Sequence, residues 1–198
     1  MIHGYHVIWG AYGFWLPNDP RGSWSDFVSS WELARFGRAT KSIDRVDVEP
    51  DEYAAWRERA RRALKYSAVT LSGEQVLAIA EGFRQFARKS GLGIWACSIL
   101  PEHVHLVLAR HRYKIEQAAN LLKGEATRRL LRKNLHSMKQ FQKTENDRLP
   151  SVWGGRTMEG LSGRRRSDLQ GDPLCRRESD SRRQAVTEME FRDAISGT

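Results

Sequence analysis

The stretch "IWACSILPEHVHLVLAR", residues 94–110, decides how this chain is read. It holds two short apolar runs, "IWACSIL" and "HVHLVLA", joined by Pro101 and Glu102. Runs of that length, divided by a turn signal, predict an antiparallel pair of strands. Strand side chains alternate between faces, so His103 and His105 fall on one side and Val104 on the other. Two imidazoles on one face of an apolar strand have a bland reading, surface or core histidines, and a sharper one, two nitrogen ligands of a metal ion.

Working outward, "YHVIWGAYGFWL" (residues 5–16) is rich in aromatic and β-branched residues and runs into a Pro-Asn-Asp-Pro-Arg-Gly turn, which predicts a buried first strand. Residues 20–48 carry no strong period and are expected to form an excursion over the surface. "EPDEYAAWRERARRALKY" (49–66) has Pro50 near its start, acids in the first turn and bases in the last, which suits a helix dipole. A second helix is predicted over "SGEQVLAIAEGFRQFARKSG" (72–91), with Ser72 as N-cap, Val76, Ile79, Phe83 and Phe86 on the apolar face, and Gly91 as the stop. A third follows the strand pair over "KIEQAANLLKGEATRRLLRKNL" (114–135), with Ile115, Ala119, Leu122, Leu130 and Leu131 roughly on one side. The fold class is therefore α+β, an antiparallel sheet covered by helices.

Composition narrows the partners. At 198 residues with 40% hydrophobic residues the chain can bury one good core. A formal charge of +9 favours an anionic partner, nucleic acid ahead of a membrane surface. No apolar run reaches membrane-spanning length, and "MIHGYHVIWG" lacks the features of a signal peptide. Cys97 and Cys175 are the two cysteines, so neither a disulfide framework nor a four-cysteine zinc site is available, and a cytoplasmic location is expected.

The charge is also unevenly placed. From Leu106 to Arg156 twelve Lys or Arg stand against four acids. A basic helix directly after the histidine strand would draw phosphates towards the imidazoles, and Arg110, Arg112, Lys123, Arg128, Arg129, Arg132 and Lys133 are the candidate DNA-binding residues. For a charge run taken alone, a solvated helix face is the favoured reading.

At "LPEHVHLVL", residues 100–108, the chain resembles the single-tyrosine HUH transposases of the insertion sequence 200-like type, together with the REP-associated tyrosine transposases, whose strand reads close to "MPNHVHLLL". "LLKGEATRRLL" (121–131) is similar to that family's "LKG.SSR.L" helix, "SVWGG" (151–155) to its "LW..G" segment, and "YGFWLPNDPRGSW" to the "YGTWLPGDPRG" opening of one subgroup. The resemblance covers about residues 5–155. It implies a ferredoxin-like HUH fold that cuts and rejoins single-stranded DNA, often at hairpin ends of a mobile element, in a homodimer and at the nucleoid. It also implies that His103 and His105 help bind a divalent ion, magnesium or manganese, which polarises the scissile phosphate, and that a tyrosine attacks that phosphate to form a covalent intermediate. Imidazoles alone would suit zinc at least as well.

The implied nucleophile should follow "SVWGG" on a helix reading about "RYIENP". The tyrosines here are Tyr5, Tyr12, Tyr53, Tyr66 and Tyr113, and none follows Tyr113. The family pattern puts no nucleophile at Tyr113. Residues 157–198 hold eight arginines, eight acids, no lysine, tryptophan or tyrosine, and no apolar period. Residues 1–156 are therefore expected to form the transposase domain, and 157–198 a disordered tail or the product of a one-base frameshift near Gly154 to Thr157. One permitted set of codons for the tail reads "RYVEENP" in the neighbouring frame, so a frameshift is compatible with the protein sequence. Without the tyrosine helix, weak metal binding and no strand cleavage are expected.

Two rivals come from other classes. In one, the chain binds single strands without chemistry, with aromatics such as Trp15 and Trp24 stacking on bases, against the bland reading of tryptophans packed in the core. In the other, His103 and His105 with an acid from elsewhere form a hydrolytic metal site for a small substrate, a reading that the surplus of bases disfavours.

Overall fold

A computed structural model describes residues 3–17, 19, 31–37, 49–144, 147–154 and 158–162. The elements run in the order β1 (Gly4–Gly10), α1 (Trp31–Ala34), α2 (Pro50–Arg62), α3 (Gly73–Ser90), β2 (Ile94–Ile99), β3 (His103–Ala109), α4 (Ile115–Arg132) and β4 (Met158–Ser162), with a single 3-10 turn at Lys139–Phe141. The four strands form one sheet in the order β2-β3-β1-β4. With β1 and β3 central, this is the ferredoxin-like arrangement, and the α+β class expected from the strand pair and the helices is what the chain adopts.

The chain divides into two compact units. The first comprises Met1–Ile8, Ser72–His136 and Glu159–Thr198, and holds the histidine strand. The second comprises Trp9–Leu71 and Ser137–Met158.

In the first unit, β2 and β3 pair antiparallel through a two-residue connection at Pro101 and Glu102, closed by Leu100 N–H donating to the His103 carbonyl at 2.8 Å. The register sets Cys97 against Leu106, Ser98 against His105 and Ile99 against Val104. Nearer the start of β2, Ile94 faces Leu108 while Ala96 faces Val107, so Trp95 is an extra residue in a bulge. The indole of Trp95 lies over Gly4, where an added Cβ would come within 2.5 Å of the ring and 2.6 Å of the Leu108 carbonyl, so only glycine fits there. The alternation of β3 is clean. Val104, Leu106 and Leu108 are fully buried, whereas His103, His105, Val107 and Ala109 are half-buried.

The helices of this unit start and stop where their caps demand. Ser72 and Gln75 form a reciprocal capping box at the head of α3, and Gly91, with φ of 73°, takes the left-handed position that ends it. Val76, Ile79 and Phe83 are buried and Phe86 is half-buried. On α4, Ala119, Leu122, Ala126 and Leu130 make the buried stripe. Leu131, expected on the same side, is 42% exposed, because one further residue turns it about 100° away from Leu130. The two helices approach closely at Gly82, where an added Cβ would sit 3.0 Å from the Ala126 Cα.

In the second unit, the first strand ends earlier than its apolar run, since β1 stops at Gly10. Beyond it, Ala11 makes an isolated bridge to Trp153, the chain turns through Gly13 at φ 81°, and Val69 N–H donates to the Tyr12 carbonyl. The left-handed glycine bends the chain before the remaining aromatic residues can extend the strand. "SVWGG" is the clip for that bend. Tyr12 N–H donates to the Val152 carbonyl, Gly154 N–H to the Gly10 carbonyl, and Trp153 packs edge-on against Trp9. Helix α2 starts at Pro50 as read, with Asp51 and Glu52 in its first turn and Arg59, Arg61 and Arg62 in its last. Of the expected surface excursion, residues 31–37 hold the short helix α1 and a buried Leu33; residues 20–30 and 38–48 lie outside the described residues. Of residues 157–198, those at 158–162 run as β4 beside β1, and 157 and 163–198 lie outside the described residues.

Candidate functional site

Strand β3 brings His103 and His105 to one face, as the alternation predicted, with ring centroids 4.9 Å apart and planes 65° from parallel. A third imidazole joins them. His6, on β1, meets His105 edge to edge, with centroids 5.4 Å apart and planes 22° from parallel, and its Nε2 lies 3.2 Å from Nδ1 of His105. Arg110 N–H donates to the His3 carbonyl, so the start of β1 meets the end of β3, and the antiparallel run that follows carries His6 towards His105. Reading the strand pair alone missed His6. The signal was available, because "YHVIW" places one polar ring inside a predicted strand of the same sheet.

Among the described residues no group of three or more His, Cys, Asp or Glu side chains is placed to hold a metal ion. His103 and His105 therefore offer, at most, part of a ligand set, and Nδ1 of His105 is turned to His6. Glu102, half-buried at the hairpin, is the nearest acid in sequence.

The seven candidate DNA-binding residues separate into three kinds. Arg110 and Arg112 are exposed just beyond β3, and Arg112 lies over the Tyr113 ring at 5.2 Å while its Nη2 donates to the phenol oxygen. Arg128, Arg129, Arg132 and Lys133, on or just past the end of α4, are tied to acids: Arg128 and Arg132 to Glu125, Arg129 and Lys133 to Glu81 of α3. Arg129 also donates to the Gln85 side chain at 2.8 Å. Lys123 is of a different kind, because it is 8% exposed and burial pulls its ammonium down to about 8. The sequence placed it on a basic face. The helix rotates it into the same buried surface as Leu122 and Ala126, so it is poorly placed to meet a phosphate.

Glu125 organises this cluster. Burial alone would raise its carboxyl, but the hydrogen bond and charge of Arg128, with the charges of Lys89 and Arg132, more than offset that and hold it below the usual carboxylate range. It is consequently a fixed anion among the bases of α4.

Four of the five tyrosines have defined surroundings. Tyr53 donates its hydroxyl to Asp19 and stacks on Trp56; the Tyr12 hydroxyl accepts from Tyr66 N–H, and Tyr66 packs against Phe141. Tyr113 is set between Phe86 and His111. Tyr5 is half-buried next to His6, and adjacent residues of a strand point to opposite faces. Trp15, half-buried, packs edge-on against Phe14 with ring centroids 4.6 Å apart, while Trp24 lies outside the described residues.

Residues 62–147, which include His103, His105 and all of α4, match the family model described as "Transposase IS200 like". The "YGFWLPNDPRGSW" opening and "SVWGG" lie outside the matched residues. A crystal structure of a protein from Deinococcus radiodurans R1, provisionally named a transposase, is similar at 18% identity over 84% of this chain and 85% of that one, with a TM-score of 0.40. No curated protein matches the chain. No helix among the described residues is long and apolar enough to cross a membrane.

Proposed function

We propose that this chain is an HUH-class DNA transposase by descent, which engages single-stranded DNA at the histidine face and does not cut it. The observation that carries this reading is the pairing of His103 and His105 on one face of β3, inside the segment that matches the transposase family. His103 and His105 would hold a divalent ion, magnesium or manganese, which when bound would polarise a phosphate oxygen of the strand. Two imidazoles favour manganese over magnesium, whose ligands are mostly oxygens.

The protein's own side chains would supply the rest. Arg110 and Arg112, exposed at the end of β3, are placed to hold the sugar-phosphate backbone as it passes the histidines. Cleavage would need a tyrosine hydroxyl on the same face. Tyr12, Tyr53, Tyr66 and Tyr113 are engaged in packing or hydrogen bonds of their own, and no tyrosine occurs after Tyr113. Binding without chemistry is the result, and the protein would act on hairpin-bearing single strands in the cytoplasm, at the nucleoid, as a monomer or a homodimer.

A denaturing gel tests this directly. The chain is incubated with a labelled single-stranded hairpin and manganese, and no covalent protein-DNA adduct is expected; an adduct would overturn the reading. Sequencing the coding DNA across Trp153 to Thr157 decides the origin of the defect. A neighbouring frame that restores a helix like "RYVEENP" makes the chain a frameshifted transposase, whereas its absence makes residues 157–198 a genuine tail and the catalytically dead binding module the better description.

A further inference from the structure

We infer that His6 is a positioning residue for His105, holding it in the tautomer protonated at Nδ1, with the lone pair on Nε2. The inference rests on the proposed metal role of the histidine pair and adds a residue to it. The observation is the 3.2 Å approach of His6 Nε2 to His105 Nδ1, made edge to edge between rings whose planes are 22° from parallel.

A neutral imidazole has one N–H and one lone pair, so a hydrogen bond between two such nitrogens has two forms. If His6 donates, His105 Nδ1 is the acceptor and the His105 proton must sit on Nε2, which can then donate to a phosphate oxygen but cannot bind a metal. If His105 donates, its Nε2 is left with the lone pair, and His6 carries its own proton on Nδ1. Only the second form is compatible with His105 as a ligand. An isolated imidazole has no partner to enforce that choice. His6 supplies one, and the near-parallel, edge-to-edge rings suit a hydrogen bond in the ring plane.

His6 stands on β1 and His105 on β3, so the support comes from a neighbouring strand and not from the hairpin that carries the ligands. A shift of β1 against β3 would therefore release His105 without touching the "HVH" run itself.

The test reads ring nitrogens directly. The full chain, labelled with nitrogen-15 at histidine, is examined by long-range nitrogen-proton correlation in mildly alkaline buffer, where ordinary imidazoles are neutral. In the wild type His105 is expected to show a protonated Nδ1 and a lone-pair Nε2. His6→Phe and His6→Leu, which keep bulk but offer no acceptor, should move the His105 proton to Nε2. His6→Gln, whose amide oxygen can accept, should restore the wild-type pattern. A wild-type His105 protonated at Nε2 would overturn the inference at once, even if neither apolar variant folds. So would a folded variant in which the pattern does not change.

Manganese added to the same samples separates this from the parent reading. Broadening centred on His103 and His105, weaker at His6, supports both. Broadening as strong at His6 as at His105 would make His6 a ligand and refute the positioning role. A tautomer shift with no manganese broadening at any of the three would sustain the positioning of His105 while sinking the metal reading.

Discussion

The sharpest test of the basic surface is the salt dependence of single-strand binding, because the seven candidate residues are not equivalent. Each phosphate neutralised on a single strand contributes about 0.7 to the slope of log affinity against log salt. Arg110 and Arg112 are exposed beyond β3, whereas Arg128, Arg129, Arg132 and Lys133 already face Glu125 or Glu81, and Lys123 is buried. Removing both Arg110 and Arg112 by alanine should therefore flatten the slope by about 1.4, which corresponds to about a sevenfold smaller loss of affinity between 50 and 200 mM salt. Lys123→Met should leave the slope unchanged. Glu125→Gln should steepen it, because Arg128 and Arg132 lose the anion that competes with phosphate. Fluorescence anisotropy with a labelled single-stranded oligonucleotide, titrated at four or five salt concentrations, reads all three. The reasoning is refuted if Lys123→Met flattens the slope as much as the double arginine variant, or if the double variant does nothing.

The remaining expectations concern stability and reactivity. Lys123 has a folded-state pKa of about 8 against an ordinary 10.5, so its burial destabilises the fold most below pH 8 and progressively less as pH rises towards 10.5. Lys123→Met should accordingly stabilise the protein at neutral pH by about 1–3 kcal/mol, a gain that shrinks in urea titrations above pH 8. His136 is buried and its imidazole is pulled below the ordinary 6.5 by that burial, so the unfolded chain binds the proton more readily and stability should fall as pH drops below 6.5. His136→Gln should blunt this loss in thermal melts. Ser72→Ala removes the cap of α3 and should cost about 1 kcal/mol, with Ser72→Asp recovering most of it. Burial pushes the Cys97 thiol up to about 12, so peptide mapping after a short alkylation should find it unmodified in the folded protein and fully modified in urea.

Much of the sheet and the helices could be read from local signals. The hairpin at Pro101 and Glu102, the Ser72 cap, the Gly91 stop and the alternation of β3 all depend on residues within a few positions of each other, where stereochemistry decides. What escaped was set at longer range. The first strand stops at Gly10 because "SVWGG", more than 140 residues later, pairs with the chain just beyond it, and no period in "YHVIWGAYGFWL" announces that. Lys123 and Leu131 were misplaced because a charge or an apolar residue was read by type, while a turn of 100° per residue decided which way each one faced.

His6 illustrates the same limit at the site itself. A strand histidine 97 residues from His103 has no local mark that ties it to the pair, and only the sheet order, with β1 beside β3, puts it against His105. The consequence is a division of labour along the chain. The segment that matches the family, residues 62–147, carries the two histidines and the basic helix, while the strand that holds one of those histidines in place lies before it, and the tyrosine that would complete the chemistry belongs after it. On the proposed reading a chain can keep the histidine face and still lack the reaction, because the two are encoded in separate stretches whose loss is independent. Restoring a tyrosine helix after Trp153, while His6, His103 and His105 are left untouched, should then recover a covalent DNA adduct in one step. If the adduct fails to form in a protein that binds manganese at the histidines, the defect lies in more than the missing nucleophile.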